Sequence, residues 1–312
     1  MLYLLENVNG GGLKRYTDDL KNFYIIENIV NKIDLYKVNS NDTLLLQNLF
    51  FTDIEIEDIL YIDNIIITIH DFYWLHEFIM KKFYQDEYPP VHTNYLRNNI
   101  VIYPLIYTLF KKAKLIIHST QFTFNEYSKY FDTNNFKIIN HIDYKINNNI
   151  YIPKVYNEIN IGIFHSLTKY KGEDLINYLK NKFTKYNNYK INFLITNIDF
   201  KYTENDNIHD IITKYNIHTT CLLNIWGETY CYTLTKILNS GLPFLYNNIG
   251  SFKYRILNKG IVCFENENID YNILEEKFKV LLNYIIENND INIYDDNFEL
   301  YNYYEKNLNL YK

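Results

Sequence analysis

The chain has 312 residues, 47% of them hydrophobic, and a formal net charge of -6 with acids and bases interspersed. That length exceeds what one hydrophobic core usually fills, and the acidic balance argues against nucleic acid as a partner, because duplex binders carry a basic face that neutralises phosphates. Three cysteines without metal-type pairing point to a reducing intracellular setting, no apolar run nears the roughly 20 residues that span a bilayer, and the opening residues lack the basic flank of a signal peptide.

The 33 tyrosines and abundant Asn, Ile and Lys read as the codon bias of an AT-rich genome rather than as stacking stripes. Glycine is scarce, nine in all, so each one is expected to have a backbone reason. Three are consecutive, Gly10, Gly11 and Gly12.

In chain order, residues 2–6 predict an apolar strand, 10–12 a glycine loop and 13–24 a helix with Tyr16, Leu20 and Phe23 on one face. Strand, glycine loop and helix form a layout in which backbone N–H groups approach a phosphate closely. The spacing is neither Gly-x-Gly-x-x-Gly nor a P-loop. Runs 44–50 and 65–69 have the length and apolarity of strands buried on both faces, and the second ends at His70-Asp71. Residues just past a strand's C-terminal end line the ligand crevice of open α/β sheets, which singles out His70. An irregular loop is expected at 86–92, a helix at 96–112, a strand at 115–117 ending in His118-Ser119, a helix at 122–130, and a strand at 137–140 ending at His141. Those histidines lack metal-ligand spacing, so no metal site is predicted.

Polar residues 147–153 read as a linker between domains 1–150 and 151–312. Strand 160–164, loop 165–171, helix 172–183, strand 191–195, helix 206–215 and strand 220–225 restart the βα pattern. The last of these delivers Trp226-Gly227-Glu228. A helix over 229–240 is expected to start at this acid and end at Gly241, with Pro243 preventing its resumption and a strand at 244–246. An anion placed before Tyr230 to Tyr232 would meet the unpaired N–H groups of that helix start. Strand 260–264, helix 273–286 and a terminal helix 298–310, packing back on the first domain, complete the pattern.

Several of these segments together resemble the retaining GT-B glycosyltransferases of family 4. They are Gly10-Gly11-Gly12 with Tyr16 and Asp19-Leu20, Ile69-His70-Asp71-Phe72, Ala113 to Ser119, His141-Ile142-Asp143, Gly162 with Lys171-Gly172, and the stretch from Glu228 to Gly250. The resemblance runs in order over nearly the whole chain. It implies two Rossmann-like domains, parallel sheets facing across a cleft, with the N-terminal domain on the acceptor side and the C-terminal domain on the nucleotide-sugar side. It also implies transfer of a hexosyl group from a UDP- or GDP-type donor to a glycan, lipid or protein acceptor, without a required cofactor or metal. The cytoplasm is the expected location, with peripheral membrane association allowed.

By resemblance, Glu228 would orient the donor sugar and His70 would lie beside the transferred sugar. Lys171, the glycine loop and residues Thr229, Tyr230, Cys231 and Tyr232 would hold the diphosphate. Ser119 and His141 fall on the acceptor side. The second acid of the family's Glu, seven residues, Glu pattern falls on Lys236, and its arginine before Lys-Gly falls on Ser166; both positions are read as donor-binding. Competing readings are a catalytically impaired GT-B protein that binds nucleotide or glycan, or supports a partner, and a GT-B sugar-nucleotide epimerase. Plainer structural roles also exist: Glu228 as a helix-start acid, Lys171 as a surface lysine, Ser119 as a cap.

Overall fold

The computed structural model describes residues 1–5, 12–22, 28–30, 35–47, 49, 54–75, 104–141, 153–203, 206–256, 260–264 and 269–287. Gly10, Gly11, the loop 86–92, most of the 147–153 linker and the terminal helix 298–310 lie outside them. Contacts divide the chain into two compact units, whose described residues are 1–141 and 153–287.

The first unit is built on strands β1 (Leu2–Leu5), β2 (Asn28–Val30), β3 (Thr43–Leu46), β4 (Asn64–Ile69), β5 (Leu115–His118) and β6 (Phe136–Ile138). They form one sheet in the order β2-β1-β3-β4-β5-β6, parallel throughout. Leu44, Leu45, Leu46, Ile65 and Ile67 are fully buried, so successive side chains on both faces are covered. That is the reason these strands read as unbroken apolar runs. Helix α1 (Gly12–Asn22) lays Tyr16 and Leu20 onto Leu4, Leu45, Ile66 and Ile117. Helix α2 (Pro104–Lys112) has proline as its first residue, where a missing N–H costs nothing and φ is preset for helix. Helix α3 (Gln121–Tyr127) is capped by Thr120, whose hydroxyl accepts from Thr123 N.

The second unit contains β7 (Glu158–Ile163), β8 (Lys185–Tyr186), β9 (Tyr189–Ile195), β10 (Ile217–Leu222), β11 (Phe244–Tyr246) and β12 (Ile261–Val262), in the order β12-β11-β10-β7-β9-β8. Only the β8–β9 hairpin is antiparallel. With β8 set aside, β9-β7-β10-β11-β12 repeats the order β2-β1-β3-β4-β5 of the first unit. Strand β7 thus stands where β1 stands, β10 where β3 stands, and β11 where β4 stands.

Helices cover both faces of this second sheet. On one side α4 (Glu173–Lys182) and α8 (Tyr271–Glu287) bring Leu175, Ile176, Leu179, Leu274, Phe278 and Leu281 against Ile159, Ile161 and Ile163. On the other, α5 (Ile208–Tyr215) and α6 (Tyr232–Ser240) bring Ile212, Leu234 and Ile237 against Phe164, Leu222, Phe244 and Tyr246. The β10–β7 register slips at His218, and that side chain takes over the lost pairing by accepting from Asn160 N at Nδ1, 3.0 Å away.

Several sequence expectations need correction. Strand β10 ends at Leu222, so Leu223 to Ile225 belong to the loop. The helix expected from 229 begins only at Tyr232. Cys231 has φ 68° and ψ 88°, in the left-handed region, which interrupts any helix before it. Strands β2 and β8 and the short helix α7 (Phe252–Arg255) were not expected; each is four residues or fewer, below the length at which periodicity is visible.

Candidate active site

In an open parallel sheet, ligands bind outside the carboxyl ends of the strands where the strand order reverses. In the second unit that point lies between β7, whose next neighbour in sequence goes to one side, and β10 on the other. The two loops that leave it are 164–172 and 223–231, and they carry most of the residues singled out on the donor side.

Lys171 Nζ lies 3.5 Å from Glu228 Oε1, with side chains 24% and 20% exposed, so the pair is reachable yet largely enclosed. Asn224 Nδ2 donates to the same oxygen at 2.8 Å. Among the described residues no hydrogen bond falls on Glu228 Oε2, which leaves that oxygen as an acceptor for a ligand hydroxyl. The carboxylate beside it raises the Lys171 pKa further above its ordinary value, against the opposing pull of burial. Lys171 is therefore a fixed cation at neutral pH.

The loops are held by backbone bonds. Ile225 N donates to Tyr170 O at 3.0 Å, stapling the second loop to the turn that carries Lys171. Gly172 follows with φ 83°, and a β-carbon there would lie 2.1 Å from Leu223 O. Only glycine permits both the left-handed turn and that approach of two backbones. Gly250 does the same beyond β11: at φ 57° its missing β-carbon makes room for Gly227 at 2.5 Å. Asn247 Nδ2 donates to Asn224 O at 3.0 Å, so the residue that orients Glu228 is itself oriented.

His165 lies near enough to Lys171 and Glu228 to feel their charges. It is 5% exposed, its Nδ1 lies 3.1 Å from Ser166 O, and burial with the Lys171 charge lowers its pKa to about 4. A carbonyl accepts, so Nδ1 carries the proton and the ring is neutral. Ser166 itself is exposed. Cys231 is half-buried, and burial raises its thiol to about 11, which keeps it protonated.

Of the predicted donor residues, Lys171 and Glu228 meet directly, and Cys231 lies near enough to both to feel their charges. Thr229 and Tyr230 fall in the bend before α6 rather than in its first turn, and Tyr232 opens the helix. Lys236 points elsewhere. Its ammonium donates to Asp206 O at 3.1 Å and Thr203 O at 3.4 Å, and lies 4.8 Å from the Tyr202 ring centre. Gly12 is the first residue of α1.

The first unit presents a different group at its strand ends. His70, after β4, stacks on His141, after β6, at 4.8 Å, and Tyr16 from α1 packs against both at 4.5 and 4.7 Å. Burial lowers the His70 pKa to about 3, so that ring is neutral. Ser119 is fully buried beside the Thr120 cap. His118, also fully buried, sits among Phe124, Tyr127 and Phe136, and burial lowers its pKa to about 3.

Sequence reading missed Asn224, Asn247 and Arg255. Asn224 could have been found as a polar residue four positions before Glu228 at a strand end. The other two come from a separate βα step, and no local spacing links them to the site. Among the described residues, no three His, Cys, Asp or Glu side chains are grouped to hold a metal ion, and no helix is long and apolar enough to cross a membrane.

The fold defined by these two units is GT-B, an assignment borne out by comparison with solved structures. The chain is similar to Anabaena Alr3699/HepE in complex with UDP, at a TM-score of 0.56 and 10% identity over 99% of this chain and 98% of that one. It is similar to the lipopolysaccharide outer core galactosyltransferase WaaB in its apo form, at 0.53 and 10%, over 99% and 98% of the two chains. It is similar to sucrose-phosphate synthase from Thermosynechococcus elongatus, at 0.51 and 10%, over 92% of each. Identities this low establish the fold alone. No protein-family profile matches the chain. No curated protein sequence matches it either.

Proposed function

We propose that this protein is a glycosyltransferase that moves a hexosyl group from a nucleotide-diphosphate-sugar to a glycan, lipid or protein acceptor. The observation that carries the reading is the Lys171–Glu228 pair at the switch point of the second sheet, where a cation and a carboxylate lie side by side and only partly exposed. Transfer leaves a nucleoside diphosphate whose new negative charge needs stabilisation, and Lys171 is a fixed cation placed to give it. The Oε2 atom of Glu228 accepts from a donor-sugar hydroxyl, which orients the anomeric carbon.

Support for UDP as the nucleotide comes from the neighbours: Alr3699/HepE has been seen with UDP and with UDP-glucose. We assign the second unit to the donor and the first, with His70, His141 and Ser119, to the sugar being transferred and its acceptor. The further parts of the proposal are membership of the family 4 retaining enzymes, metal-independent action and a cytoplasmic setting.

The test is a panel of UDP-, GDP- and dTDP-sugars, with and without EDTA, read by nucleotide release and by the anomeric configuration of the product. UDP-sugar cleavage that survives EDTA and gives a product of retained configuration is expected. A wild-type protein that binds none of the donors sinks the reading. The engagement of Lys236 with the Thr203 and Asp206 carbonyls favours a second reading, a GT-B protein that binds nucleotide without turnover. Donor binding without nucleotide release on any acceptor would select it.

A further inference from the structure

Beyond β11 the chain turns at Gly250 and forms the four-residue helix α7, and this segment is strapped to the loop that carries Glu228. Ser251 N donates to Glu228 O at 2.8 Å, and Ser251 Oγ donates to Tyr230 O at 3.2 Å. Arg255 contributes most. One guanidinium nitrogen donates to both Tyr230 O and Cys231 O, the latter at 2.9 Å, and the other reaches Thr235 Oγ1 at 2.5 Å. The guanidinium also lies over the Tyr230 ring, 3.7 Å from its centre.

We propose that Arg255 is the positioning residue that holds the 228–232 segment in its ligand-ready shape. The inference rests on reading that segment as the donor loop. Cys231 carries a β-carbon yet occupies the left-handed region at φ 68°, a conformation that persists only where surrounding contacts over-determine it. Arg255 supplies those contacts on both sides of the strained residue, from the carbonyl before it, its own carbonyl and the first turn of α6.

A trans peptide points its carbonyl and the following N–H in opposite directions. By gripping the carbonyls of Tyr230 and Cys231, Arg255 turns the N–H groups of Cys231 and Tyr232 away from itself. These are N–H groups at the start of α6, where a helix has no partners of its own to offer. A lysine cannot replace this grip, since the forked contact and the ring stacking both need a planar guanidinium.

The experiment uses the full chain and UDP as the probe. Titration calorimetry compares wild type with Arg255→Lys, Arg255→Ala, the double variant Arg255→Ala/Cys231→Gly, and Lys171→Ala as reference. Arg255→Lys should bind UDP at least tenfold more weakly. Because glycine takes a positive φ without support, the double variant should return to within threefold of wild type. In parallel, amide hydrogen exchange on the ligand-free protein should show residues 230–232 exchanging at least tenfold faster in Arg255→Lys, with β10 unchanged.

Wild-type UDP affinity and exchange in Arg255→Lys, beside lost binding in Lys171→Ala, overturn the proposal and leave the donor site standing. Lost binding in Arg255→Ala that Cys231→Gly does not recover, with exchange raised throughout the second unit, also overturns it, because that pattern marks a general fold role. If UDP binds wild type and Lys171→Ala alike, the donor reading fails. The exchange measurement needs no ligand and then decides by itself whether Arg255 holds the loop.

Discussion

The two units share one strand order but place different chemistry at equivalent strand ends. After β4 the first unit puts His70, a neutral ring stacked with His141 and Tyr16; after β11, the equivalent strand, the second puts Asn247 and Gly250, which brace a charged lysine and carboxylate. A common scaffold therefore does not dictate the electrostatics of its crevice, which are set by the few residues just past each strand. On the proposed function, the first group would meet sugar hydroxyls and the charged group a diphosphate.

The strongest way to break this contrast is at the backbone. Gly172→Ala should destabilise the second unit by on the order of 3 kcal/mol, since the added β-carbon meets Leu223 O at 2.1 Å and φ 83° is strained for alanine. Denaturant unfolding measures it, and a loss under 1 kcal/mol would show that the two loops separate easily. Next comes Lys171→Ala, expected to weaken UDP by about 2 kcal/mol through loss of a charge-assisted bond to phosphate. His70→Phe, which keeps the stacking, should leave UDP affinity within twofold of wild type while lowering turnover. Equal loss of UDP binding in the two variants would abolish the division between the units.

Acidification tests the contrast through stability. His118 in the first unit and His165 in the second have folded pKa values of about 3 and about 4, below the unfolded value of 6.5. Between those values the unfolded chain binds protons that the folded chain refuses. Stability is thus fully present above pH 6.5 and falls as pH drops toward 4, by up to about 1.4 kcal/mol per pH unit for each histidine. His118→Phe should flatten the slope of unfolding free energy against pH by one histidine's share; an unchanged slope would mean the ring takes up its proton without unfolding.

A smaller effect, of opposite sign to that of Lys171→Ala, is expected from Glu228→Gln. Removing the carboxylate beside Lys171 takes away a repulsion of the diphosphate, so UDP should bind tighter by about 1 kcal/mol, roughly fivefold, even as sugar transfer falls. The least effect belongs to Lys236→Met, about 0.5 kcal/mol of stability from the lost contact with Tyr202 and no change in UDP affinity.

Much of the architecture was legible because buried parallel strands announce themselves. Runs such as Leu44-Leu45-Leu46 and Ile65-Ile66-Ile67 have no other use, and Gly241 with Pro243 marks the end of α6 without ambiguity. Lys171 and Glu228 stood out because each adjoins a glycine in a loop that follows a recognisable strand, and the family resemblance gave them their expected roles. The start of α6 was misplaced because the helical spacing of 229–240 is real, and the interruption at Cys231 depends on carbonyl contacts from Arg255, 24 residues away. Lys236 is expected at the donor only through the family resemblance; its ammonium donates to carbonyls at the entry to α5, a contact that the sequence of one helix does not register.

The hairpin at the margin of the second sheet has a bearing on how this protein behaves at high concentration. Strand β8 has two residues, one of them Lys185, and β12 at the opposite margin also has two. The six- and seven-residue strands β7, β9 and β10 thus lie in a sheet whose margins are two residues long, and in β8 partly charged, which makes them poor templates for the backbone of a second molecule. Tyr186 donates from the hairpin to Asn283 Oδ1 at 2.9 Å, which ties that margin to α8. Removing β8 would bare the whole seven-residue edge of β9, a longer template for such pairing.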